Sequence, residues 1–400
     1  MLQKIVGPDK LPHSGHKNNH HHHPEHSKSR VLFILKRRND YDADSSYSPI
    51  GVSTGLYNSA SFVSDMLVEN GIESKVVVVI DNNCIDREVT KYRPTHVIIE
   101  ALWVVPEKFE VLTRIHKKVQ WIVRLHSETP FIASEGVAMK WILQYTKYPR
   151  VTLACNAPRF LREVRVLIEE KYGKEEVKKV NYMPNYYPLD YPSAKPYDDC
   201  KDTVDVACFG AIRPLKNQLL QAVSAVEFAV KIKKKLRFHI NVGRIEMKGD
   251  PILHNLQNLF IQLADAGHTL IQHQWRPHEE FLEIVKTMDI SLQVAFSETF
   301  NIVSADLISQ GIPIVTSSEI PWASSIFNAA PAESTEIVSK LLLAWEWRKF
   351  NVWINARNLR NYSEESEELW VKYFGDIKNP KPDPKPDPKP DPKPDPKPKK

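Results

Sequence analysis

No stretch of ~18 apolar residues occurs in the 400-residue chain, so no membrane-spanning helix is expected. The N-terminus has no apolar h-region and does not read as a secretory signal. Cysteine is scarce. Cys84, Cys155, Cys200 and Cys208 stand at spacings that match no metal-ligand pattern. Free thiols in a reducing cytoplasm are the expectation. No Asp-x-Asp pair ends an apolar strand; Asp42-Ala43-Asp44 has the letters but lies in a polar stretch. The body also lacks a basic excess. The formal +5 divides into +3 in residues 1–30, +4 in residues 378–400 and −2 between them. A dedicated nucleic-acid-binding body usually carries net positive charge, so that class is disfavoured though a local basic patch stays possible.

What is present falls into tails and a body. Residues 1–30 are polar and His-rich around His16-Lys17-Asn18-Asn19-His20 and read as a disordered arm, either inert or an adventitious metal binder. Residues 378–400 repeat Pro-Lys-Pro-Asp. Alternate prolines block helix and central strand alike and favour an extended rod, a solubilising tail or a spacer.

The body alternates short apolar runs with amphipathic stretches. Strands are expected at Val31–Leu35, Lys75–Ile80, His96–Glu100, Gln120–Arg124 and Val151–Cys155, with helices at Tyr57–Glu69 and Glu107–Lys117. Tyr186 to Asp202, rich in Tyr, Pro and Asp, breaks the pattern. It restarts with strands at Val204–Gly210, Arg237–Val242, Leu270–His273 and Ile290–Val294 and helices at Asn217–Lys231 and Ile252–Ala266. The expected fold is α/β: two Rossmann-like domains with parallel sheets facing across a cleft. The expected boundaries are 31–187 for an acceptor-side domain, 188–202 for a linker and 203–361 for a nucleotide-sugar-binding domain. A last helix, 362–377, is expected to cross back to the first domain.

Chemistry concentrates where strands end. Ser297-Glu298-Thr299-Phe300-Asn301-Ile302-Val303 follows an apolar strand and opens a helix that closes at Gln310-Gly311-Ile312-Pro313. Strand, polar loop and helix start make an anion site, because the first helical amides lack intrahelical acceptors and the dipole favours negative charge. Glu298 and Asp306, eight residues apart, suit hydroxyl-rich groups. A second loop, Phe209-Gly210-Ala211-Ile212-Arg213-Pro214-Leu215-Lys216, places a fork and a point charge just before a helix. Alone it could be a solvated basic loop. With the first loop it suggests stabilisation of a diphosphate leaving group.

These residues resemble the retaining GT-B glycosyltransferases, in particular the large family-4-like group. Its pattern is a Glu, an aromatic two residues on, a small residue, a second acid eight residues after the first, and Gly-x-Pro. Glu298, Phe300, Asn301, Asp306, Gly311 and Pro313 occupy those places, with Asn301 for the usual Gly and Asp306 for the usual Glu. The resemblance implies a catalytic set of Glu298, Lys216, Arg213 and His126. It implies donor binding by Gly210, Arg244, Thr299, Phe300, Asn301, Ile302 and Asp306, with Asp306 on the ribose. His126, ending a strand, could equally be structural. Gly51, Ser53, Thr54 and Gly55 match the family's loop across the cleft, or form a plain turn. Met183-Pro184-Asn185 reads as a hinge, and His273-Gln274-Trp275 falls near the family's base contacts.

The implied activity is transfer of a sugar from a nucleotide-sugar donor to an acceptor hydroxyl, with retention. No cofactor and no metal are expected beyond the co-substrate. The acceptor could be a glycan, a lipid-linked carrier, a small molecule or a modified base in DNA. A non-catalytic sugar- or nucleotide-binding module of the same fold is the remaining alternative. Oligomeric state is not legible.

Overall fold

A computed structural model describes residues 29–37, 54–198 and 200–375. The His-rich arm, Asp42-Ala43-Asp44, Gly51, Ser53 and the Pro-Lys-Pro-Asp tail lie outside the described residues, as does the side chain of Thr54.

The first domain is built on six parallel strands: β1 (Arg30–Lys36), β2 (Glu73–Val79), β3 (His96–Glu100), β4 (Gln120–Leu125), β5 (Val151–Cys155) and β6 (Val180–Tyr182). Their order is β2-β1-β3-β4-β5-β6. The sheet is covered on both faces, and β1 shows how its sequence achieves this. Val31 to Leu35 are all fully buried. Leu32 and Ile34 join one core, while Val31, Phe33 and Leu35 join the other, as the two-residue period of a strand dictates. Helices α1 (Thr54–Glu69), α2 (Ile85–Tyr92), α3 (Lys108–Ile115), α4 (Thr129–Ile132), α5 (Ala138–Tyr145) and α6 (Pro158–Tyr172) complete the domain.

The second domain has five parallel strands, β7 (Thr203–Ala207), β8 (Lys235–Asn241), β9 (Thr269–His273), β10 (Ile290–Gln293) and β11 (Ile314–Thr316), in the order β11-β10-β7-β8-β9. Chain order therefore reverses between β7 and β10. Such a switch point opens a crevice at the carboxyl ends of the two strands. The two loops singled out in the sequence follow these two strands. The helices here are α7 (Gln218–Lys231), α8 (Asp250–Gln262), α9 (His278–Val285), α10 (Ile302–Ser309) and α11 (Ser334–Glu346).

The last helix, α12 (Arg348–Phe374), begins earlier than the segment from Tyr362 that its aromatic and acidic content suggested. Its first half packs through buried asparagines, which mask the apolar stripe. Asn351 exchanges hydrogen bonds with the backbone of Ile314, and Asn355 accepts from Ser324 N–H at 2.8 Å. Its far end lies on the first domain, where Trp370 approaches Phe33 with ring centroids 6.0 Å apart and donates to Pro184 O. At 27 residues, or ~40 Å, α12 ties both domains together.

Beneath Trp370 sits Arg124, a fully buried cation in the middle of the first sheet. It pairs with the buried Glu100 at 3.0 Å and donates to Met183 O, Pro184 O and Asn185 Oδ1. The guanidinium also stacks 5.1 Å over Trp370. Four acceptors and a π-face answer a charge that could not otherwise be buried. Arg124 thereby fixes β3, β4, the exit from β6 and α12 to one another.

The connecting segment closes over Gly311. This residue has φ +74°, and a Cβ would stand 2.1 Å from Ser193 O, while Lys195 N–H donates to Gly311 O at 2.9 Å.

Two outcomes are expected in urea unfolding. Gly311→Ala should cost well over ~1 kcal/mol. Gly71→Ala, at φ +77° with no neighbouring atom within 4 Å, should cost only the left-handed strain. Equal costs would show that the segment yields freely. Arg124→Leu should cost ~3–5 kcal/mol by leaving Glu100 buried and under-paired, and adding Glu100→Leu should restore part of the loss. A double variant no more stable than Arg124→Leu would refute the pairing argument.

Candidate active site

The loop after β7 is shaped by three local constraints. Gly210 has φ +122°, a conformation that excludes a side chain, and its N–H donates to Asn241 Oδ1. Ile212 N–H donates to Arg244 O, and Glu246 N–H returns to Ile212 O, so the loops after β7 and β8 are knitted together. Asn217, in the left-handed region at φ 60°, donates to Val294 O and Pro331 O and ties the same loop to the end of β10. Arg213, Lys216 and Arg244 are thus held side by side at the switch point.

Their charges are answered by two glutamates. Glu246 receives Arg213 Nη1 at 3.1 Å on one oxygen and Arg244 Nε at 2.7 Å on the other. Lys216 is ion-paired with Glu298. Arg213 also lies 4.8 Å over the Phe131 ring of α4, reaching across from the second domain to the first.

The loop after β10 delivers Glu298 and then opens α10. Asn301 stands at φ 58°, and its Oδ1 caps Ser304 N–H at 2.8 Å. Asn is among the few side chains that tolerate this left-handed conformation, which gives a physical reason for Asn where the family pattern has Gly. The cap leaves the first-turn amides of Ile302 and Val303 without an intrahelical acceptor. The start of α1 comes close opposite: a Cβ on Gly55 would stand 3.5 Å from Ile302 Cγ2.

Two adjoining cavities result. One, of about 200 Å³, brings together Gly210, Arg213, Lys216, Arg244, Ile302 and Asp306. Its remaining wall includes Trp275, Phe281 and His278. The other, of about 180 Å³, brings together His126, Lys216, Glu298, Thr299 and Asn301. Lys216, Gly55 and Ile302 line both. Residues far apart in sequence therefore converge on one cleft.

His126 belongs to the polar network anchored by Arg124. Its Nε2 is hydrogen-bonded to Glu100. Burial, helped by the Arg124 charge, holds its pKa below the usual value although Glu100 pulls it upward. Burial would raise the Glu100 pKa, but the Arg124 charge and the hydrogen bonds from Arg124 and His126 outweigh it and hold the pKa low. A neutral imidazole giving Nε2–H to Glu100 keeps Nδ1 as an acceptor. The network continues through Asn185 to Asn156, and Asn156 Nδ2 donates to Thr299 Oγ1 at 3.0 Å in the second domain.

Phe300 and Asp306, both expected at the donor, have partners within the protein. The Phe300 ring is buried, with ring centroids 6.0 Å from Trp322 and 5.4 Å from Tyr362. It anchors the loop, and the aromatic is required for packing. Asp306 is 2% exposed, and its Oδ1 accepts from Tyr187 OH at 2.8 Å and from His278 Nε2 at 2.7 Å. Glu128 is turned to Arg159, which also reaches Glu319 across the domain boundary. Gly51 and Ser53 are outside the described residues, and of Thr54 only the backbone, at the start of α1, is described.

Sequence reasoning missed Glu246, His278, Asn156, Asn185 and the role of Arg124. The signal for Arg124 was available: an arginine and a glutamate inside apolar strands are buried only when paired. For His278, Asn156 and Asn185 the partners lie 28 to 143 residues away, beyond any local pattern, and Glu246 joins its neighbour Arg244 to Arg213, 33 residues away.

No protein-family model matches the sequence, and no curated protein matches it. Solved structures do match. A UDP-forming α,α-trehalose-phosphate synthase from Burkholderia vietnamiensis superposes with a TM-score of 0.58 at 9% identity, over 89% of this chain and 98% of that one. An E. coli structure described as trehalose-6-phosphate bound with UDP-2-fluoro glucose gives 0.59 at 10% identity, over 86% and 98%. Anabaena Alr3699/HepE in complex with UDP and glucose gives 0.54 at 10% identity, over 85% and 95%. At such identities the likeness establishes the fold, and the fold is GT-B: two parallel-sheet domains facing across a cleft.

Proposed function

We propose that the protein transfers a sugar from a nucleotide-sugar donor to an acceptor hydroxyl, with retention of anomeric configuration. The observation that carries this reading is the meeting of Arg213, Lys216, Glu298 and the open amides of α10 at the switch point between β7 and β10. UDP or a UDP-sugar is bound in two of the similarly folded structures. Retention rests on the resemblance of the Glu298–Pro313 stretch to the family pattern.

The charge arrangement suits a diphosphate. Glu298 and Glu246 offset two of the three positive charges of Arg213, Lys216 and Arg244. An arriving diphosphate supplies better-matched acceptors for Lys216 and Arg213 and for the amides of Ile302 and Val303. Lys216 then leaves Glu298, whose carboxylate becomes available to accept from sugar hydroxyls. As the bond from the anomeric carbon to the diphosphate oxygen breaks, negative charge grows on the leaving group. The cations and helix start are already aimed at it, which is where electrostatic preorganisation lowers a barrier. The acceptor oxygen bonds to the same carbon, and its hydrogen ends, net, on the nucleoside diphosphate. In this reading the leaving-group charge is met by protein groups, with no metal or cofactor assigned.

The second cavity takes the acceptor side. His126, Asn156 and Asn185 come from the first domain and offer hydrogen-bonding groups beside Glu298 and Thr299. We place the protein in a reducing cytoplasm, which suits its four free cysteines. The thiols of Cys155 and Cys208 are pushed up to about 12 by burial. Among the described residues no helix is long and apolar enough to cross a membrane.

Incubation with a panel of nucleotide sugars, followed by mass spectrometry, should reveal release of one nucleoside diphosphate. Lys216→Ala and Glu298→Ala should each lower that rate by ~10²–10³. Undiminished turnover in both variants would overturn the site assignment.

A further inference from the structure

The larger cavity contains a hydrogen-bonding group that the proposed reaction has not yet used. Three of its acceptors are already engaged. Glu246 holds two arginines, Asn241 Oδ1 accepts from Gly210 N–H, and Asp306 Oδ1 accepts from both Tyr187 and His278. Asp306 shows almost no surface, whereas the His278 side chain is 22% exposed and lines the cavity. Because Asp306 Oδ1 accepts, His278 Nε2 must donate, which leaves Nδ1 for a ligand.

The position of His278 indicates which part of a nucleotide it meets. It follows Trp275 by three residues, and Trp275 and Phe281 are the flat aromatic surfaces of this cavity. Its partner Asp306 lies four residues beyond Ile302, about 6 Å along α10 from the amides that face the anion. A nucleotide with its base on that surface and its phosphates at those amides would bring the ribose that joins them to the part of the cavity His278 lines. A ribose hydroxyl both donates and accepts, so it can pair with Nδ1 whether the ring is neutral or charged. That matters because the surroundings of the ring favour its charged form. Burial lowers its pKa, but the hydrogen bond and charge of Asp306, with Glu279 adding, outweigh burial and raise it overall. The ring cannot swing away: Tyr187 backs Asp306, and the Phe62 ring of α1 stands 5.7 Å from His278 and 5.3 Å from Tyr187.

We propose that His278 is the specificity-determining contact to a ribose hydroxyl of the donor, with Asp306 and Tyr187 as its positioning residues. The acid eight residues after Glu298 thus acts through a histidine. This inference rests on the nucleotide-sugar reading.

Calorimetric titration with UDP, GDP and ADP identifies the preferred base. The best ligand is then compared with its 2′-deoxy and 3′-deoxy counterparts. Wild-type protein should bind one deoxy ligand at least tenfold more weakly than the parent. His278→Ala should bind the parent about tenfold more weakly and distinguish it from that deoxy ligand by less than twofold. Tyr187→Phe, which removes only the buttressing hydroxyl, should fall between. A purely structural role would weaken all ligands alike and preserve the discrimination. Full discrimination in His278→Ala, or in His278→Gln should the alanine variant not fold, overturns the proposal and moves the contact to a neighbour such as Asn58. The absence of discrimination in wild type overturns it equally. Failure of every nucleoside diphosphate to bind wild type would overturn the donor reading itself, a distinguishable result.

Discussion

The buried guanidinium of Arg124 is the constraint on which the rest of the cleft depends. A fully buried cation demands partners, and it recruits Glu100, the backbone carbonyls of Met183 and Pro184, Asn185 and the face of Trp370. Satisfying it fixes where the first domain ends and where α12 returns. The same partners lead outward to function. Glu100 sets the orientation of His126, and Asn185 sets Asn156, which touches Thr299 beside Glu298. One desolvated charge thus aligns His126, Asn156 and Asn185 of one domain with the Glu298 loop of the other.

The second domain contributes a different kind of order. Its reversal of strand order opens a crevice, and the loops after β7 and β10 fill the crevice rim with cations, acids and helix amides. Arg213 and Arg244 rest on Glu246, and Lys216 rests on Glu298. Two carboxylates thus answer three cations, and under the proposed function the energy needed to part the pairs is offset by the phosphates that would replace the carboxylates. Under the proposed function the Lys216–Glu298 pair makes one event out of two, since a diphosphate drawing Lys216 away would free the Glu298 carboxylate for the sugar.

Much of this was legible in the sequence because the governing signals are local. Buried parallel strands are short apolar runs, and a polar loop opening a helix identifies its own amides. Arg213, Lys216, Glu298 and Asn301 follow from such signals. The short strands β6 and β11 escaped because three residues carry no periodicity, and the start of α12 escaped because Asn351 and Asn355 bury amides where an apolar stripe was sought. Asp306 shows a deeper limit. Its spacing from Glu298 located it correctly beside the cavity, but its contact is decided by His278 and Tyr187, 28 and 119 residues away. Sequence spacing places a residue on a face; only tertiary neighbours determine what that residue touches.

In the proposed function a diphosphate replaces glutamate at the switch point. A crystal structure with the preferred nucleoside diphosphate tests it most directly. The account predicts phosphate oxygens within ~3 Å of Lys216 Nζ and of an amide of Ile302 or Val303, with the Lys216–Glu298 pair separated. A nucleotide bound away from the loops after β7 and β10, or one bound with Lys216 still on Glu298, would contradict it.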